Sequence, residues 1–435
     1  MTKVQHRAMA ALLVAALILV GLGVYIYRFI VHGGEWATFA VGGNYTSGIM
    51  STGTITDRSG VVLAQADGSS RYYADDWSVR RACYHAVGDY AGNVGTGALR
   101  SFAAQLAGYN PITGTYASGG NEVALSLDSQ LCVTAQNALN GRSGAVLVSN
   151  YKTGEILCMT SNPTTDPADS TLEIADGTYL NRCISAVYTP GSVFKLITTA
   201  AALETIPDLA SRTYTCTGSI QVGGSIVTCS GTHGAQSFED ALANSCNVAF
   251  AQIALELGGD TLEKYANDLG FTSTHKLDSV TTAAGSFFKD SDGSPGLAWS
   301  GIGQAADLIC PYSMLRLVSA VATSGILQEP TLILGERNNQ TNLLQSTTAN
   351  RMKELMSYNV HAHYGTWNFP GLNICAKTGT AEVGDGTSHA WFTGFLDDEA
   401  HPYAFVVIVE NGGGGLETAG TLANTVLQTA VAKGI

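Results

Sequence analysis

Pro190-Gly191-Ser192-Val193-Phe194-Lys195-Leu196-Ile197-Thr198-Thr199-Ala200-Ala201-Ala202-Leu203-Glu204 reads as the opening of a helix. A proline and a glycine precede an apolar, alanine-rich run that contains no further helix breaker, which is the signature of a helix N-terminus. Residues three apart lie on one helix face. Ser192 and Lys195 therefore meet, with the hydroxyl near the electropositive end of the helix. A serine hydroxyl is a weak nucleophile until a base takes its proton, and an amine one turn away is such a base. The bland alternative is a buried serine that only starts a helix.

Two further short stretches complete a pattern. Ser245-Cys246-Asn247 lies inside Phe238–Ala251, where hydrogen-bonding side chains interrupt an otherwise apolar helical pattern. Polar groups turned toward a core must be satisfied, so this pair is either an internal hydrogen-bonded couple or part of a site. Lys377-Thr378-Gly379-Thr380 follows the strand-like Leu372–Ala376 and precedes the strand-like runs Ala390–Phe395 and Tyr403–Val409. Turn signals between such runs predict an antiparallel meander. Gly379 is expected to let a substrate backbone approach closely.

Each short pattern recurs in the chain, and context separates the copies. Ser149 and Lys152 leave the apolar run Ala145–Val148 and enter the turn Lys152-Thr153-Gly154, after which Ile156–Met159 is apolar again. That is a hairpin, and its Lys-Thr-Gly is the turn. Ser273–Lys276 and Ser286–Lys289 sit in polar stretches, and Ser357-Tyr358-Asn359 ends a charged helix-like run.

The set S-x-x-K, S-x-N and K-T-G in this order is similar to that of active-site serine penicillin-recognising enzymes. The chain resembles a class B penicillin-binding protein, a membrane-anchored peptidoglycan D,D-transpeptidase. Ser51–Ala64 resembles that family's R-G-x-I-x-D-R-x-G-x-x-L-A segment, with Thr52 in place of its first arginine. Leu125-Ser126-Leu127-Asp128-Ser129-Gln130, Gly144–Leu157, Ser161-Asn162-Pro163, His233-Gly234 and Gly301-Ile302-Gly303-Gln304 also match in order, so the likeness extends over about residues 50–430.

The resemblance implies an α/β (α+β) transpeptidase fold. An antiparallel sheet is flanked by helices, an all-helical subdomain carries the S-x-N, and a small N-terminal module and one transmembrane helix precede them. The boundaries expected are 1–7 tail, 8–27 anchor, 28–50 linker, 51–140 extracytoplasmic module and 141–435 catalytic domain. The implied catalytic residues are Ser192 as nucleophile, Lys195 as its base, Ser245 as proton relay, Asn247 to orient Lys195 and the substrate amide, and Lys377. Lys377 serves as the cation that lowers the Lys195 pKa and holds a carboxylate together with Thr378. Gly379 and Thr380 belong to the same substrate-binding strand, and the backbone N–H groups of Ser192 and Thr380 form the oxyanion hole. No cofactor is implied. The implied ligands are peptidoglycan stem peptides and β-lactam antibiotics. A separate, multi-spanning membrane glycosyltransferase is the implied partner, because only about 110 residues lie between anchor and catalytic domain. The role implied is cell-wall synthesis in cell shape or division, and hence an antibiotic target.

Composition agrees. In 435 residues the net charge is −13, which argues against nucleic acid as a partner. Ala8–Tyr27 is a run of about 20 residues without a charge, enough to cross a bilayer. Lys3, His6 and Arg7 before it outweigh Arg28 and His32 after it, which favours a cytoplasmic N-terminus and an extracytoplasmic catalytic domain. The run is long for a cleaved signal and shows no small-residue cleavage site.

Of the nine cysteines, Cys132, Cys158, Cys246, Cys310 and Cys375 sit singly in apolar stretches and read as small hydrophobes. Cys216 and Cys229 flank a hairpin-like segment and are candidates for a disulfide in an oxidising exterior. The absence of C-x-x-C argues against a zinc site. His361 and His363 read as surface residues.

Four other functions compete with this reading. A serine β-lactamase of class A needs a glutamate-activated water, and no E-x-x-L-N lies between Asn247 and Lys377. A D,D-carboxypeptidase would use water as acceptor and shares the motifs. A β-lactam sensor would require a larger signalling part than seven residues ahead of the anchor. A non-catalytic scaffold would not need Ser192, Lys195, Ser245, Asn247 and Lys377 together.

Overall fold

The computed structural model describes residues 2–42, 52–67, 70–108, 120–384 and 386–435. One helix, Lys3–Gly42, forms the N-terminus. Its Lys3–Val31 segment has a mean hydropathy of 2.6 and none of it is buried, so by length and composition it can cross a membrane. The helix does not stop at Tyr27. Residues 28–42 continue it, where a linker was expected, because no proline interrupts the stretch. A pair of glycines costs a helix only about 1 kcal/mol each. Residues 43–50 of the expected linker lie outside the described residues.

Residues 52–124 build a small module on a four-stranded sheet. Its order is Ser70–Tyr73, Val62–Asp67, Thr52–Thr56, Glu122–Ala124, and the last pair runs parallel. Thr52–Thr56 and Val62–Asp67 form the hairpin of this sheet, closed by a turn at Asp57–Gly60. Of two short helical turns, Ala98–Ser101 and Ala103–Leu106, the second packs beside this sheet.

Asp57, 3% exposed, ties this module to the larger domain. One carboxylate oxygen accepts from the Ser59 and Val61 N–H groups at 2.8 and 2.9 Å. The other accepts from Ser129 N at 3.2 Å and Ser129 Oγ at 2.7 Å. Ser129 opens the helix Ser129–Leu139, which Asp128 caps by accepting from Leu131 N at 2.7 Å. Lys433, at the end of the last helix, pairs with the same Asp128 at 3.0 Å. The helix Ser129–Leu139 packs on the central sheet and on the last helix, and it also touches the module's helix Trp77–Ala82. It thus packs on the larger domain and on the module alike.

The central sheet has five antiparallel strands in the order Ile374–Glu382, Ser388–Leu396, Tyr403–Val409, Gly144–Asn150, Ile156–Asn162. The expected hairpin and meander are both present in it. Every residue of Tyr403–Val409 and of Ile156–Asn162 is buried. Successive side chains point to opposite faces, so both faces are covered. Ser129–Leu139 and Thr421–Lys433 pack together on the sheet, and so do Pro311–Ala322 and Ser346–Asn359. The final helix begins as an irregular turn at Gly415–Gly420 and is regular over Thr421–Lys433.

A second apolar core gathers around the helices Lys195–Thr205 and Asn247–Asp268. This helical subdomain also carries two ribbons, Thr213–Cys216 with Gly234–Ser237 and Ser219–Val222 with Ser225–Thr228. Ile374–Glu382 is the edge strand of the central sheet, and the subdomain meets it there, beside Ser192.

Replacing Asp57 by Ala removes the shared acceptor of four donors, which leaves the buried Ser129 N–H and hydroxyl without it. We expect a loss of about 1–3 kcal/mol, seen as a lowered thermal unfolding midpoint of the purified chain. An unchanged midpoint would show that the carboxylate does not brace the module.

Candidate active site

Ser192 lies in a 3₁₀ turn, Gly191–Phe194, that leads directly into the helix Lys195–Thr205. With three residues per turn, positions i and i+3 eclipse, and Lys195 Nζ lies 3.1 Å from Ser192 Oγ. Lys195 is completely buried. Its Nζ donates to the Ser245 carbonyl at 2.5 Å and to Asn247 Oδ1 at 2.8 Å, and stands 3.2 Å from Ser245 Oγ. A neutral amine has two N–H bonds and one lone pair. The two acceptor-only oxygens take the N–H groups, and the lone pair is left facing hydroxyls. An ammonium would use the same hydroxyls as acceptors, so both protonation states are satisfied.

The segment Ser245-Cys246-Asn247 is a break between two helices, Phe238–Ala243 and Asn247–Asp268, rather than one interrupted helix. Ser245 has φ 54°, in the left-handed region. This uncommon conformation turns both its carbonyl and its hydroxyl toward Lys195. Asn247 is anchored from its other end, where Nδ2 donates to the Thr228 carbonyl at 2.9 Å.

Lys377 is also completely buried. Its Nζ donates to Ser245 Oγ at 2.9 Å and to the Thr378 carbonyl at 2.9 Å. Ser245 Oγ thus bridges the two lysines. Burial lowers the Lys195 pKa to about 7, against an opposing pull from the nearby sulfurs of Cys229 and Cys246. Burial also pushes Lys377 well below the usual lysine range, and the Lys195 charge adds to this. Burial, and not the expected Lys377 charge, is what lowers Lys195; the charge effect runs from Lys195 to Lys377. Two buried amines this close favour a single shared proton.

Gly379 has a packing role. A side chain there would stand 3.0 Å from Val193 Cγ1, 3.1 Å from Trp391 Cβ and 3.2 Å from the Pro190 carbonyl. The bare backbone lets the Ser192 turn lie against the strand. Gly191, at φ +54°, faces it in the same way, since a Cβ would come 2.8 Å from the Thr380 carbonyl. The completely buried Trp391 supports the turn by donating Nε1–H to the Thr189 carbonyl at 3.1 Å.

Thr378 is held by a residue that sequence reasoning missed. Its backbone N–H donates to the Tyr364 phenol oxygen at 3.2 Å, and its hydroxyl lies 3.3 Å from the same atom. Thr380 is exposed, and its carbonyl accepts from Gln304 Nε2 at 3.3 Å. Gln304 stood in a family-like stretch of the sequence without a role. Tyr364 carried no motif signal. His361 and His363 are exposed, as expected.

The cysteine pairing needs correction. Cys216 and Cys229 do come together, but both are free thiols, as are all nine cysteines. Cys246 and His233 share their cluster, with all four ligand atoms within 4.8 Å of one another. Cys246 is thus not an isolated apolar filler.

Residues 144–428 match the family model described as penicillin-binding protein transpeptidase domain. The chain belongs to the penicillin-binding transpeptidase family, in its class B. Among relatives of this class B penicillin-binding protein, the peptidoglycan D,D-transpeptidase PbpA of Mycobacterium tuberculosis is 30% identical over 320 residues, 64% of each protein. The chain thus spans under two thirds of that relative's length. The structure of penicillin-binding protein A from M. tuberculosis as a ceftriaxone acyl-enzyme superposes with a TM-score of 0.76 at 25% identity, covering 89% of this chain and 100% of that one. A complex between a penicillin-binding protein (PBP2) and MreC from Helicobacter pylori includes a chain with a TM-score of 0.65 at 26% identity, covering 72% of this chain and 64% of that one.

If Lys195 must be neutral to accept the Ser192 proton, β-lactam acylation rises with pH through an apparent pKa of about 7 and then levels off. Lys195→Arg keeps a cation that does not deprotonate, and is expected to lose about 10²- to 10⁴-fold in acylation rate. Stopped-flow acylation over about pH 6–9 checks both. A flat profile or an active arginine variant would contradict the assignment.

Proposed function

We propose that the chain is a serine-type peptidoglycan D,D-transpeptidase that works through an acyl-enzyme on Ser192. The observation that carries this reading is the 3.1 Å approach of a buried, proton-poor Lys195 amine to the Ser192 hydroxyl. Lys195 takes the proton as Ser192 Oγ attacks the carbonyl between the two terminal D-alanines of a stem peptide. The terminal carboxylate binds Lys377 through a charge-assisted contact. Its arrival draws the shared proton to Lys377 and leaves Lys195 as the free base, so substrate binding itself prepares the site. Ser245, in contact with both amines, returns a proton to the departing D-alanine. Asn247 holds Lys195 and the substrate amide. Thr378, fixed by Tyr364, and Thr380 line the strand on which the peptide lies. By family likeness, the Ser192 and Thr380 N–H groups receive the oxyanion, and losing one such donor costs about 10²–10³ in turnover. An amine of a neighbouring strand then resolves the acyl-enzyme and forms the cross-link. A β-lactam acylates the same serine and stalls there.

The helix Lys3–Val31 supports a single-pass anchor. The basic residues Lys3 and Arg7 ahead of it support a cytoplasmic N-terminus. The short module between anchor and catalytic domain supports a separate membrane glycosyltransferase as the polymerising partner.

Incubating the chain with a fluorescent penicillin tests the nucleophile. Labelling is expected for the parent and none for Ser192→Ala, and persistent labelling of the variant would overturn the reading. A thioester donor with a D-amino acid acceptor tests the reaction. Aminolysis product is expected, and hydrolysis alone would assign a D,D-carboxypeptidase. Lys377→Ala should cost about 1.5–3 kcal/mol, roughly ten- to a hundredfold in kcat/KM for the donor.

A further inference from the structure

We propose that Cys216, Cys229, His233 and Cys246 form a tetrahedral zinc site that fastens the Ser245–Asn247 break to the ribbons beside it. The four residues come from three separate pieces of chain, Cys229 and His233 sharing one loop. Cys216 ends the strand Thr213–Cys216, Cys229 follows the strand Ser225–Thr228, His233 precedes the strand Gly234–Ser237, and Cys246 caps the helix Asn247–Asp268. Their ligand atoms all lie within 4.8 Å of one another. Cys216 and Cys246 are buried, and Cys229 and His233 half-buried.

The distances select a metal over a disulfide. Cys229 Sγ lies 3.9 Å from Cys246 Sγ and 3.6 Å from His233 Nδ1. In a tetrahedron with Zn–S near 2.3 Å and Zn–N near 2.0–2.1 Å, the S–S edge is about 3.8 Å and the S–N edge about 3.6 Å. A disulfide brings two sulfurs to about 2.05 Å. Here no sulfur is bonded to another. Three thiolates with one imidazole are a ligand set for zinc, and four protein ligands close the coordination sphere, so the role is structural.

Backbone N–H groups already point at two of the sulfurs. Asn247 N donates to Cys229 Sγ at 3.3 Å and Ala249 N donates to Cys246 Sγ at 3.5 Å. Such contacts orient metal ligands and steady their charge. The Cys216 thiol donates to the Gly231 carbonyl at 3.5 Å, and metal binding would release that proton.

Position gives the site its consequence. Cys246 stands between Ser245 and Asn247, both of which touch Lys195. The left-handed Ser245 is therefore followed directly by a metal ligand. Zinc would hold the break in the shape that Lys195 requires, without contacting substrate. The spacing C-x₁₂-C-x₃-H-x₁₂-C contains no paired cysteines, and only the folded ribbons bring its members together.

The test uses the full chain, purified in detergent after expression with zinc. About one zinc per chain is expected by mass spectrometry, with three sulfur and one nitrogen neighbours by X-ray absorption. Cobalt exchanged into the site should give thiolate charge-transfer and tetrahedral ligand-field bands. Cys216→Ser and His233→Ala should each lose most of the metal. Chelation should slow fluorescent penicillin labelling by roughly tenfold or more, with recovery on zinc addition and no change in helix content. Less than about a tenth of an equivalent of zinc on chain that still labels with penicillin, or a disulfide between any two of the three cysteines, would overturn the site. Labelling unmoved by complete zinc removal would overturn its locking role. Metal content and Ser192 labelling are read separately, so failure of the zinc site is distinct from failure of the transpeptidase reading.

Discussion

Lys195 is a lysine with no exposed surface, and its amine has oxygen neighbours from three places: Ser192 one turn back, and Ser245 and Asn247 some fifty residues on. A fully buried ammonium costs several kcal/mol in desolvation, so the site favours the neutral amine, and a neutral amine beside a hydroxyl is a base. The chemistry therefore depends on burial first and on charge second. Lys377 adds to it through Ser245 Oγ, which both lysines touch. One hydroxyl between two buried amines makes a short path along which a proton can be passed.

Holding that cluster takes the whole domain. The edge strand Ile374–Glu382 presents Lys377 only because Gly379 and Gly191 allow strand and turn to meet backbone to backbone. Trp391, on the next strand, fixes the turn from behind. Behind that, the sheet is braced on both faces, and Asp128 joins the first and last helices of the domain by capping one and pairing with Lys433 of the other. The helical subdomain supplies Ser245 and Asn247 through a break that nothing in ordinary helix propensity would place there.

Much of this was legible in the sequence because it rests on local rules. The Ser192–Lys195 spacing, the Gly144–Asn162 hairpin and the 374–409 meander follow from periodicity and turn residues, and the structure has them. What could not be read depends on contacts between distant segments. The helix break at Ser245 contains neither glycine nor proline, so a left-handed serine looked like a polar residue inside a helix. The packing role of Gly379 was hidden because its neighbour, Val193, lies far off in sequence. Tyr364 holds Thr378 from another element and has no motif around it. The four-ligand cluster was hidden because each cysteine, taken alone, resembles a core residue. Over 28–42 the chain is helical where a linker was expected for a simpler reason, since two glycines without a proline do not end a helix.

Site and metal cluster then share one structural problem, which is keeping an unusual backbone turn beside a buried amine. The most direct measurement of the central claim is the side-chain nitrogen resonance of Lys195, in chain labelled with ¹⁵N-lysine, followed as a function of pH. The account predicts a signal that changes from ammonium to amine with an apparent pKa of about 7. An ammonium signal that persists up to the ordinary lysine value of about 10.4 would contradict it.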